Sequence, residues 1–551
     1  MLKFINYLSL SNFVDKKKWF LLLIVPLSYF FLGSYIHQII GIYSLRSVDP
    51  EYIYFMSGLS IANGKLMLGH IDNPGTPLQY LTALVFRAVY LFRSHQISFN
   101  EDVFSNADMY LRVLNIVLTA VVSIFVFYAG KLTYKITHSI SFSILLQFSP
   151  FFTTIIFGNI GRISPENLLP IPVMLLSILL LKTIYNEEES NRKNILLFGL
   201  ISAFGLSIKL TYFPLCIIPI MVIKVTKNKI IYLASTLVSF FVIAIPVTLQ
   251  INVFWSWIKG LLFHSGHYGK GENNIVNWKT VIPNFKYLFH ENPFFFYIVL
   301  LLLIILLASF LFNKQTSRHH LIQRISIAVL CAIGLHVAIV CKQFEYRYFI
   351  PALMLLPLSV FLIIELLLPL HFPLSKYKIP QLAISLFLII YINKQIPVIQ
   401  TLSYDLDQDK LRKAPTWNYM QTLDKNVVKF LVPNYYWAPS PEYGLLFGYC
   451  WSGEQHAYFK PVLAKLFPNT YIYFSWDKTL NYWNNLPEIE KMNNPVFIYF
   501  ENENLKDTFF SDTKAYFPEK YNLIRTFFNE QTNESVYRLV KESDDQLVNQ
   551  K

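Results

Sequence analysis

Long apolar runs are the feature that most constrains this chain, because about 20 consecutive apolar residues match the ~30 Å hydrocarbon core of a membrane. The first run, WFLLLIVPLSYFFLGSYIHQII at 19–40, follows Lys16, Lys17 and Lys18. It is longer than the apolar core of a secretory signal and no small-x-small cleavage site follows it, so we interpret it as an uncleaved anchor. Of the 551 residues, 54% are hydrophobic and 15% are charged, which predicts a polytopic α-helical membrane protein.

We predict about eleven transmembrane helices within residues 1–400, which we interpret as one transmembrane domain. The two spans between 194 and 223 are short and interrupted at KLTYFP (209–214), so their boundaries are the weakest part of this prediction. The predicted spans are 19–40, 108–130, 139–157, 166–181, 194–208, 212–223, 230–250, 294–312, 325–341, 349–368 and 381–397.

Basic residues indicate which loops face the cytoplasm, since cytoplasmic loops are enriched in Lys and Arg. With the N-terminus inside, the cytoplasmic segments hold 17 Lys and Arg in 66 residues, and the opposite loops hold 12 in 128. This bias predicts a cytoplasmic N-terminus and a C-terminal domain on the non-cytoplasmic side. We expect an integral multi-pass protein of a bacterial inner (cell) membrane.

The first outer loop, 41–107, contains two apolar stretches that do not fit as spans, because an extra crossing would reverse the sidedness of every later loop. TPLQYLTALVFRAVYLF at 76–92 carries Arg87 in its middle and several aromatic residues, which is typical of a helix lying in the membrane interface. EYIYFMSGLSIANG at 51–64 is a candidate for a second interfacial helix. Between them, HIDNPGTP at 70–77 predicts a rigid turn on the outer surface.

Residues 401–551 are more polar and favour a separate extracytoplasmic α/β domain. Short β-rich runs alternate there with helix-like stretches such as KTLNYWNNL and ENLKDTFFSD, a pattern typical of a small mixed fold. The predicted strands are VVKFLV (427–432), TYIYFSW (470–476), PVFIYF (495–500), YNLIRTFF (521–528) and ESVYRLV (534–540).

Charged side chains near a membrane core are costly and tend to be functional, so the side on which they gather is informative. Here they gather in the outer loops, whereas the cytoplasmic loops are short basic connectors. A carboxylate beside an acceptor hydroxyl can act as a general base, and Arg, Lys or His can stabilise a phosphate leaving group. A lipid-linked sugar phosphate needs both, because its polyprenyl tail lies in the bilayer and its head reaches the outer face.

Several features in this order along the chain resemble the GT-C glycosyltransferases: SVDPEY in the first outer loop, the surface helices of that loop, HIDNPGTP, and a late EYRYFIP. Within that superfamily they are most similar to the protein O-mannosyltransferase and lipid A aminoarabinose transferase group. The resemblance spans roughly residues 19–400. It implies a GT-C-like membrane glycosyltransferase that transfers a hexosyl or pentosyl group from a polyprenyl-phosphate donor to an acceptor hydroxyl on the non-cytoplasmic face.

The same resemblance implies roles for individual residues. Asp49 would be the general base or a metal-linked acid, Asp72 a second acid at the acceptor, and Arg347 a ligand of the donor phosphate. The acidic pair common in the family is split here by Pro50, which leaves the base open between Asp49 and Glu51. The further candidates are Lys209, His264 and Lys270 for the donor phosphate, and His70, Glu345 and His267 elsewhere in the site.

Structural roles compete with these assignments. Asp49 could cap the helix that begins near Glu51. Glu345 could simply pair with Arg347 and Lys342, which would leave Arg347 with a structural role. HIDNPGTP could be only a turn, in which case His70 and Asp72 would have no chemical role.

Two other patterns have simpler interpretations. Arg162 and Glu166 lie four residues apart at the start of a predicted helix, which favours an internal ion pair. GHYGKG at 266–271 has no following Ser or Thr and is therefore not a nucleotide P-loop, although a loop over a lipid phosphate stays open.

The sequence gives little evidence for cofactors. The four cysteines show neither metal-ligand spacing nor a disulfide framework, and a divalent cation stays a candidate only through the metal-linked alternative for Asp49. We attribute the net charge of +13 to the cytoplasmic loops and to attraction for lipid phosphate, not to nucleic-acid binding.

The expected partners are a polyprenyl-phosphate-linked sugar, membrane lipids, and a lipid, glycan or protein acceptor. The rival functions are a lipid or solute transporter and a non-catalytic lipid-binding scaffold. A transporter should place charged residues at mid-membrane on broken helices in two related halves. The sequence shows neither feature.

Overall fold

The structure of the chain is a computed structural model that describes residues 16–93, 96–152, 154–186, 191–264, 276–311, 316–367, 378–424, 426–433, 437, 440–475, 478–481, 494–517 and 521–541. In the first 424 residues it is helical. The helices are α1 (Lys16–Ile40), α2 (Tyr43–Arg46), α3 (Glu51–Ala62), α4 (Thr76–Leu91), α5 (Phe99–Ser105), α6 (Ala107–Thr137), α7 (Ile140–Gln147), α8 (Thr154–Ile160), α9 (Pro170–Asn186), α10 (Arg192–Ile208), α11 (Ile217–Val222), α12 (Thr226–Ile243), α13 (Ile245–Leu249), α14 (Ile251–Phe263), α15 (Trp278–Glu291), α16 (Pro293–Ser309), α17 (Ser317–Lys342), α18 (Ile350–Leu353), α19 (Leu356–Leu367) and α20 (Lys378–Thr422).

Six of the described helical segments are long and apolar enough to cross a membrane, and their positions agree with six of the predicted spans. They are Trp19–Ile40, Ala107–Thr137, Pro165–Asn186, Ser317–Lys342, Tyr346–Leu367 and Ile384–Thr422. Helices α15 and α16 make a seventh only if they count together, since they meet at a bend of 95°. The chain is an integral membrane protein with at least six apolar spans.

The count of eleven stays a prediction, because the remaining predicted spans are short or interrupted. The span 139–157 is divided among α7, a 3₁₀ turn at Ser149–Phe152 and α8, and the span 230–250 is broken between α12 and α13. Short or broken helices of this kind do not reveal from length alone whether they cross the bilayer.

The long helix α6 shows how the bundle is held together. Its buried residues recur every three or four positions, at Leu111, Leu114, Leu118, Val122 and Val126, so one face of the helix packs into the core. Helices α1, α7 and α9 pack against α6. On the buried face of α6, the Asn115 amide donates to the carbonyls of Ile160 and Arg162, which fixes the loop that follows α8.

The first outer loop differs from the prediction in one respect. Residues Glu51–Ser60 of α3 are all buried, so α3 is an internal helix and not an interfacial one. Helix α4 packs along α3 and keeps an exposed face with Leu84 and Leu91, which agrees with an amphipathic surface helix. Periodicity could not distinguish the two, because α3 is covered by a helix from the far end of the chain, α21 (Pro441–Cys450).

The C-terminal part contains a six-stranded sheet of order β3-β2-β1-β4-β6-β5. Strands β2, β1 and β4 are parallel, and β3, β6 and β5 are added antiparallel at the two edges. The strands are β1 (Val428–Val432), β2 (Thr470–Phe474), β3 (Thr479–Asn481), β4 (Val496–Phe500), β5 (Tyr521–Asn529) and β6 (Glu534–Lys541); the helices are α21, α22 (His456–Leu466) and α23 (Lys506–Asp512).

All five predicted strands are confirmed as elements of this sheet, and ENLKDTFFSD contains the helix α23. KTLNYWNNL was expected to be helical, but its residues 479–481 form the edge strand β3, while 482–486 lie outside the described residues. The predicted domain boundary at residue 400 falls within α20, which continues without a break to Thr422.

We predict that the first outer loop and the C-terminal sheet face the non-cytoplasmic side. The exposed residues Lys65 and Lys460 report on these two parts, and the exposed Lys227 reports on a predicted cytoplasmic loop. With the exposed Cys331 and Cys450 replaced by Ser, Lys65→Cys and Lys460→Cys should react with an impermeant thiol reagent in intact cells. Lys227→Cys should react only after permeabilisation. Protection of either outer cysteine until lysis would contradict this topology.

Candidate active site

A cavity of about 700 Å³ opens at the end of the bundle where the first outer loop meets the helix ends. Residues far apart in sequence line it, because the ends of several helices converge there. The lining residues are Asp49, Pro50, Ile53, Tyr54, Gly69, His70, Ile71, Asp72, Asn73, Pro165, Glu166, Lys209, Val253, Phe254, Trp257, Arg347, Tyr348, Phe447 and Trp451. Five of the sequence-predicted site residues, Asp49, His70, Asp72, Lys209 and Arg347, are therefore brought together.

The HIDNPGTP turn takes its shape from Gly75, and hydrogen bonds to two other parts of the chain hold it and the residues just before it. Gly75 has a φ of 57° and lies against Tyr54, so it starts α4 where a side chain would be strained and would clash. Its N–H donates to the Ile208 carbonyl over 3.1 Å. The Gln250 side chain donates to the Leu68 carbonyl over 2.9 Å. These bonds hold His70 and Asp72 at the cavity wall.

A buried carboxylate holds two cations on one side of the cavity. Glu166 lies in the 3₁₀ turn before α9 and forms an ion pair with Lys209, which ends α10; both side chains are almost fully buried. Arg347 lies in the 3₁₀ turn after α17, with its Nε 3.5 Å from Glu166 Oε1. The Lys209 ammonium also lies 4.6 Å from the centre of the Tyr348 ring. Two cations share this one buried carboxylate, and the partly exposed Glu345 carboxylate lies 3.5 Å from Arg347 Nε on another side.

Glu51 is occupied by a different cation. Arg162 binds it through two hydrogen bonds, Nε to Oε1 at 2.8 Å and Nη2 to Oε2 at 3.0 Å. The same guanidinium donates to the Ser47 hydroxyl and to the Asp49 carbonyl. Glu51 is fully buried and is not among the described residues that line the cavity. A doubly bound, buried carboxylate is poorly placed to accept a proton from an acceptor.

The expected ion pair between Arg162 and Glu166 is wrong. A spacing of four residues brings side chains together only in a helix, and residues 161–164 form a turn and extended chain before the 3₁₀ turn at Pro165–Leu168. Arg162 therefore points to the first outer loop and Glu166 to Lys209.

His70 and Asp72 form an ion pair at the cavity wall, with Nδ1 and Oδ1 2.9 Å apart. Burial alone would lower the pKa of His70, but the adjacent Asp72 carboxylate raises the pKa of the ring above its ordinary value. Burial alone would raise the pKa of Asp72, but His70 and backbone N–H groups bring the pKa of that carboxyl to about 2. Asp72 is therefore ionised and committed to His70 near neutral pH.

Asp49 differs from the other three carboxylates of this region. It does not cap α3, because the N-cap position is Pro50 and has no side-chain capping bond. Among the described residues the Asp49 carboxylate has no hydrogen-bond or ion-pair partner, although it lines the cavity. Burial, followed by the repulsion of Glu51, raises the pKa of Asp49 above its ordinary value, while His70 and Arg347 oppose this. It is the carboxylate best placed to take up a proton.

The remaining predicted site residues are not brought into the cavity. Glu345 pairs with Arg347, with Oε1 and Nε 3.5 Å apart, and His264 follows the end of α14; neither lines the described cavity. Lys342 donates to the carbonyls of Leu261 and Leu262, so it does not join Glu345 as expected. His267 and Lys270 lie outside the described residues.

One side of the cavity is apolar and was not predicted. Val253, Phe254 and Trp257 line it from α14. The same helix exposes Val253, Trp255, Leu262 and Phe263 to the surroundings of the bundle. The three-to-four-residue spacing of these apolar positions is a usable signal, but the predicted spans leave 251–293 as an outer loop.

In the described part of the chain no group of three or more His, Cys, Asp or Glu side chains is arranged to hold a metal ion. Asp49 and Asp72 are two acids near each other, but Asp72 is paired with His70. A role for a divalent cation stays an untested expectation.

We predict that the Glu166–Lys209 pair is strongly coupled. Glu166→Gln or Lys209→Met alone should each destabilise the fold by about 3 kcal/mol, because breaking a buried pair leaves an uncompensated charge. The double variant should recover a large part of that loss. The unfolding temperatures of wild type, the two single variants and the double variant, all as full chains in one detergent, complete this double-mutant cycle.

The control is the exposed pair Glu101–Lys465, whose charged atoms lie 2.8 Å apart. Glu101→Gln should leave the unfolding temperature nearly unchanged, since exposed pairs contribute little. A double variant at Glu166 and Lys209 that loses as much as the sum of both single variants would disprove the coupling.

No family model and no curated protein matches this sequence. Among solved structures, the chain is similar to the crystal structure of ArnT from Cupriavidus metallidurans bound to undecaprenyl phosphate, with 10% sequence identity and a TM-score of 0.47. The match covers 94% of this chain and 97% of that chain.

Proposed function

We propose that this chain is a membrane glycosyltransferase that moves a sugar from a polyprenyl-phosphate donor to an acceptor hydroxyl on the non-cytoplasmic face. One observation carries the proposal. A carboxylate without a described partner, Asp49, shares a cavity of about 700 Å³ with the cations Lys209 and Arg347, which Glu166 holds at the cavity wall. A base and a phosphate site are the two parts that this transfer requires.

The cationic cluster supports binding of the donor phosphate. A phosphodiester carries one negative charge, and Lys209 and Arg347 line the cavity with one buried carboxylate, Glu166, between them. The second carboxylate near Arg347, Glu345, is partly exposed and does not line the cavity. Arg can bind phosphate oxygens through two parallel hydrogen bonds, while Lys acts as a compact charge. The shared carboxylate of Glu166 keeps both cations at the cavity wall before the donor arrives, so little side-chain ordering is required on binding.

The apolar side supports a lipid-linked donor. Val253 lines the cavity and is 61% exposed, so the cavity is continuous with the apolar surface of α14. An isoprenoid tail can follow that surface into the bilayer while its phosphate reaches Arg347. A free nucleotide sugar would gain nothing from such a surface.

The chemistry that follows is a single displacement at the anomeric carbon. The acceptor oxygen forms a bond to that carbon, the bond from the carbon to the phosphate oxygen breaks, and its electron pair leaves with the phosphate. Asp49 accepts the acceptor proton as general base. One displacement inverts the anomeric configuration, whereas a covalent glycosyl-enzyme would retain it. Asp72 is held by His70, so we propose for it a contact with hydroxyl groups and not the base role.

We further propose that the C-terminal domain lies on the same outer side, that the protein resides in a bacterial inner membrane, and that its acceptor is a lipid, a glycan or a protein. Proteoliposomes with radiolabelled undecaprenyl-phosphate sugars test this function against its rivals. Transfer to an added acceptor extract supports the proposal. Uptake without transfer would support a transporter, and binding alone would support a scaffold.

We predict that Asp49→Asn lowers the turnover number by about a hundredfold or more, the usual share of a general base, and leaves donor binding unchanged. The variant is nearly isosteric and breaks no described ion pair, so the unfolding temperature should not change. Because burial raises the pKa of Asp49, wild-type turnover should fall on acidification at a higher pH than an ordinary aspartate would give. Transfer assays over a range of pH measure the turnover number and its fall on acidification. Analysis of the product gives its anomeric configuration.

Glu101→Gln is the matched control, because Glu101 is an outer-loop acid that does not line the cavity. It should retain wild-type turnover. Near-wild-type turnover in Asp49→Asn, or a product with the donor's anomeric configuration, would overturn the base assignment.

We predict that Arg347→Lys raises the apparent KM for the donor more than it lowers the turnover number. The substitution keeps the charge but loses the two parallel hydrogen bonds of the guanidinium. Arg93→Lys is the control, because Arg93 pairs with Asp102 in the first outer loop away from the cavity. Unchanged donor affinity in Arg347→Ala would leave Arg347 with a structural role alone.

A further inference from the structure

The C-terminal domain contributes directly to the wall of the cavity. Phe447 in α21 and Trp451 just after it line the cavity, although the other lining residues all precede position 349. The domain is therefore part of the site and not only a cover above it.

The position of α21 is fixed by close contacts with α3. Gly444 lies against the Tyr52 ring, and Gly448 lies against the Tyr52 carbonyl and Met56, so that a methyl group at either glycine would overlap Tyr52. Small residues allow two helices to approach at backbone distance. Residues 442–448 are all buried.

The turn after α21 is locked against the loop that carries His70. Gly69 lies against the Trp451 carbonyl and the Gly453 N–H, and a side chain at Gly69 would overlap both. The Gln455 side chain donates to the Met67 carbonyl over 3.3 Å. The backbone of Trp451 is thus positioned by the same loop that positions His70 and Asp72.

The Trp451 side chain, in contrast, stays partly open. It is 43% exposed while lining the cavity. Its ring stands at 89° to the His70 ring, with the centres 5.9 Å apart, and His70 is bounded on another side by the Tyr54 ring at 88° and 5.7 Å. The Trp451 ring, whose backbone is fixed, therefore borders the same cavity as the Asp49 and Asp72 carboxylates.

We propose that Trp451 is a stacking platform that selects a sugar ring within this cavity. The C–H groups on one face of a pyranose or furanose form an apolar surface that packs on an aromatic ring, while its hydroxyl groups reach acids such as Asp72 at the rim. Ligand sites typically combine an aromatic surface with a few polar groups that fix orientation. The sugar ring is either that of the donor or that of a glycan acceptor. This inference rests on the proposed function and extends it to a specificity residue in the C-terminal domain.

The test compares carrier with and without sugar. The full chain in nanodiscs is titrated with undecaprenyl phosphate and with undecaprenyl phosphate-glucose or -mannose, for wild type, Trp451→Ala and Trp451→Phe. Trp278→Ala is the control, because Trp278 is 69% exposed on α15 and does not line the cavity. Unfolding temperatures identify any variant that has lost its fold, and Trp451→Phe keeps a ring where the alanine variant is too unstable.

If the stacked sugar ring belongs to the donor, the Trp451→Ala variant binds the sugar-bearing carrier about tenfold more weakly than wild type does. Its affinity for undecaprenyl phosphate stays within about twofold of the wild-type value. Trp451→Phe retains part of the preference. If the ring belongs to the acceptor, both carrier affinities stay unchanged and the KM for the glycan acceptor rises about tenfold in the transfer assay.

A folded Trp451→Ala variant with wild-type carrier affinities and wild-type acceptor KM would overturn the stacking role and leave the proposed function intact. Wild-type protein that binds no carrier and transfers no sugar would overturn the proposed function, and the stacking role with it.

Discussion

Pairing of buried charge is the constraint on which the cavity end of the helix bundle depends. A buried carboxylate is tolerated only when a cation or hydrogen-bond donors compensate it. Glu166 meets this requirement by drawing Lys209 and Arg347 together from the ends of α10 and α17. Glu51 meets it by binding Arg162 from the loop after α8. Each pair joins segments more than 40 residues apart, so the charges that form the site also hold its walls in place.

The same pairing distinguishes the acids from one another. Glu51, Glu166 and Asp72 are each committed to a cation, and Asp49 lines the cavity with no described partner. The backbone carbonyl of Asp49 accepts a hydrogen bond from Arg162, the same side chain that binds Glu51, so Asp49 is held close to Glu51. The protein therefore presents one uncommitted carboxylate beside a prepared cationic cluster, an arrangement suited to a proton acceptor next to a leaving phosphate.

The C-terminal sheet is connected to this site by more than a linker. Lys413 on α20 donates to the Leu45 carbonyl in the first outer loop over 3.0 Å. Three residues later, the Thr416 hydroxyl donates to the buried Glu534 of β6 over 2.7 Å. Helix α20 thus bonds the first outer loop on one side and the sheet on the other, which supports a fixed position for Trp451 at the cavity.

Sequence patterns predicted the local helices and strands and many of the residues that line the cavity. They predicted less well which charged side chains pair with each other. The long apolar runs and the alternating strands carry their own periodic signals, and the outer position of the polar residues brought Asp49, His70, Asp72, Lys209 and Arg347 into consideration together. The partner of Arg162 was missed because the chain is not helical between 161 and 164. The burial of α3 and the position of Trp451 both depend on the contact between α3 and α21. These helices lie nearly 400 residues apart in the sequence, and no local pattern indicates such a contact.

The central claim is that donor phosphate and base share one cavity. An electron-microscopy structure of the full chain in a nanodisc with undecaprenyl phosphate tests it most directly. We predict phosphate density within hydrogen-bonding distance of Arg347 and Lys209, facing Asp49, with the first isoprenoid units along Val253 and Trp257 of α14. Phosphate density at another site, with the Asp49 cavity empty, would contradict this account.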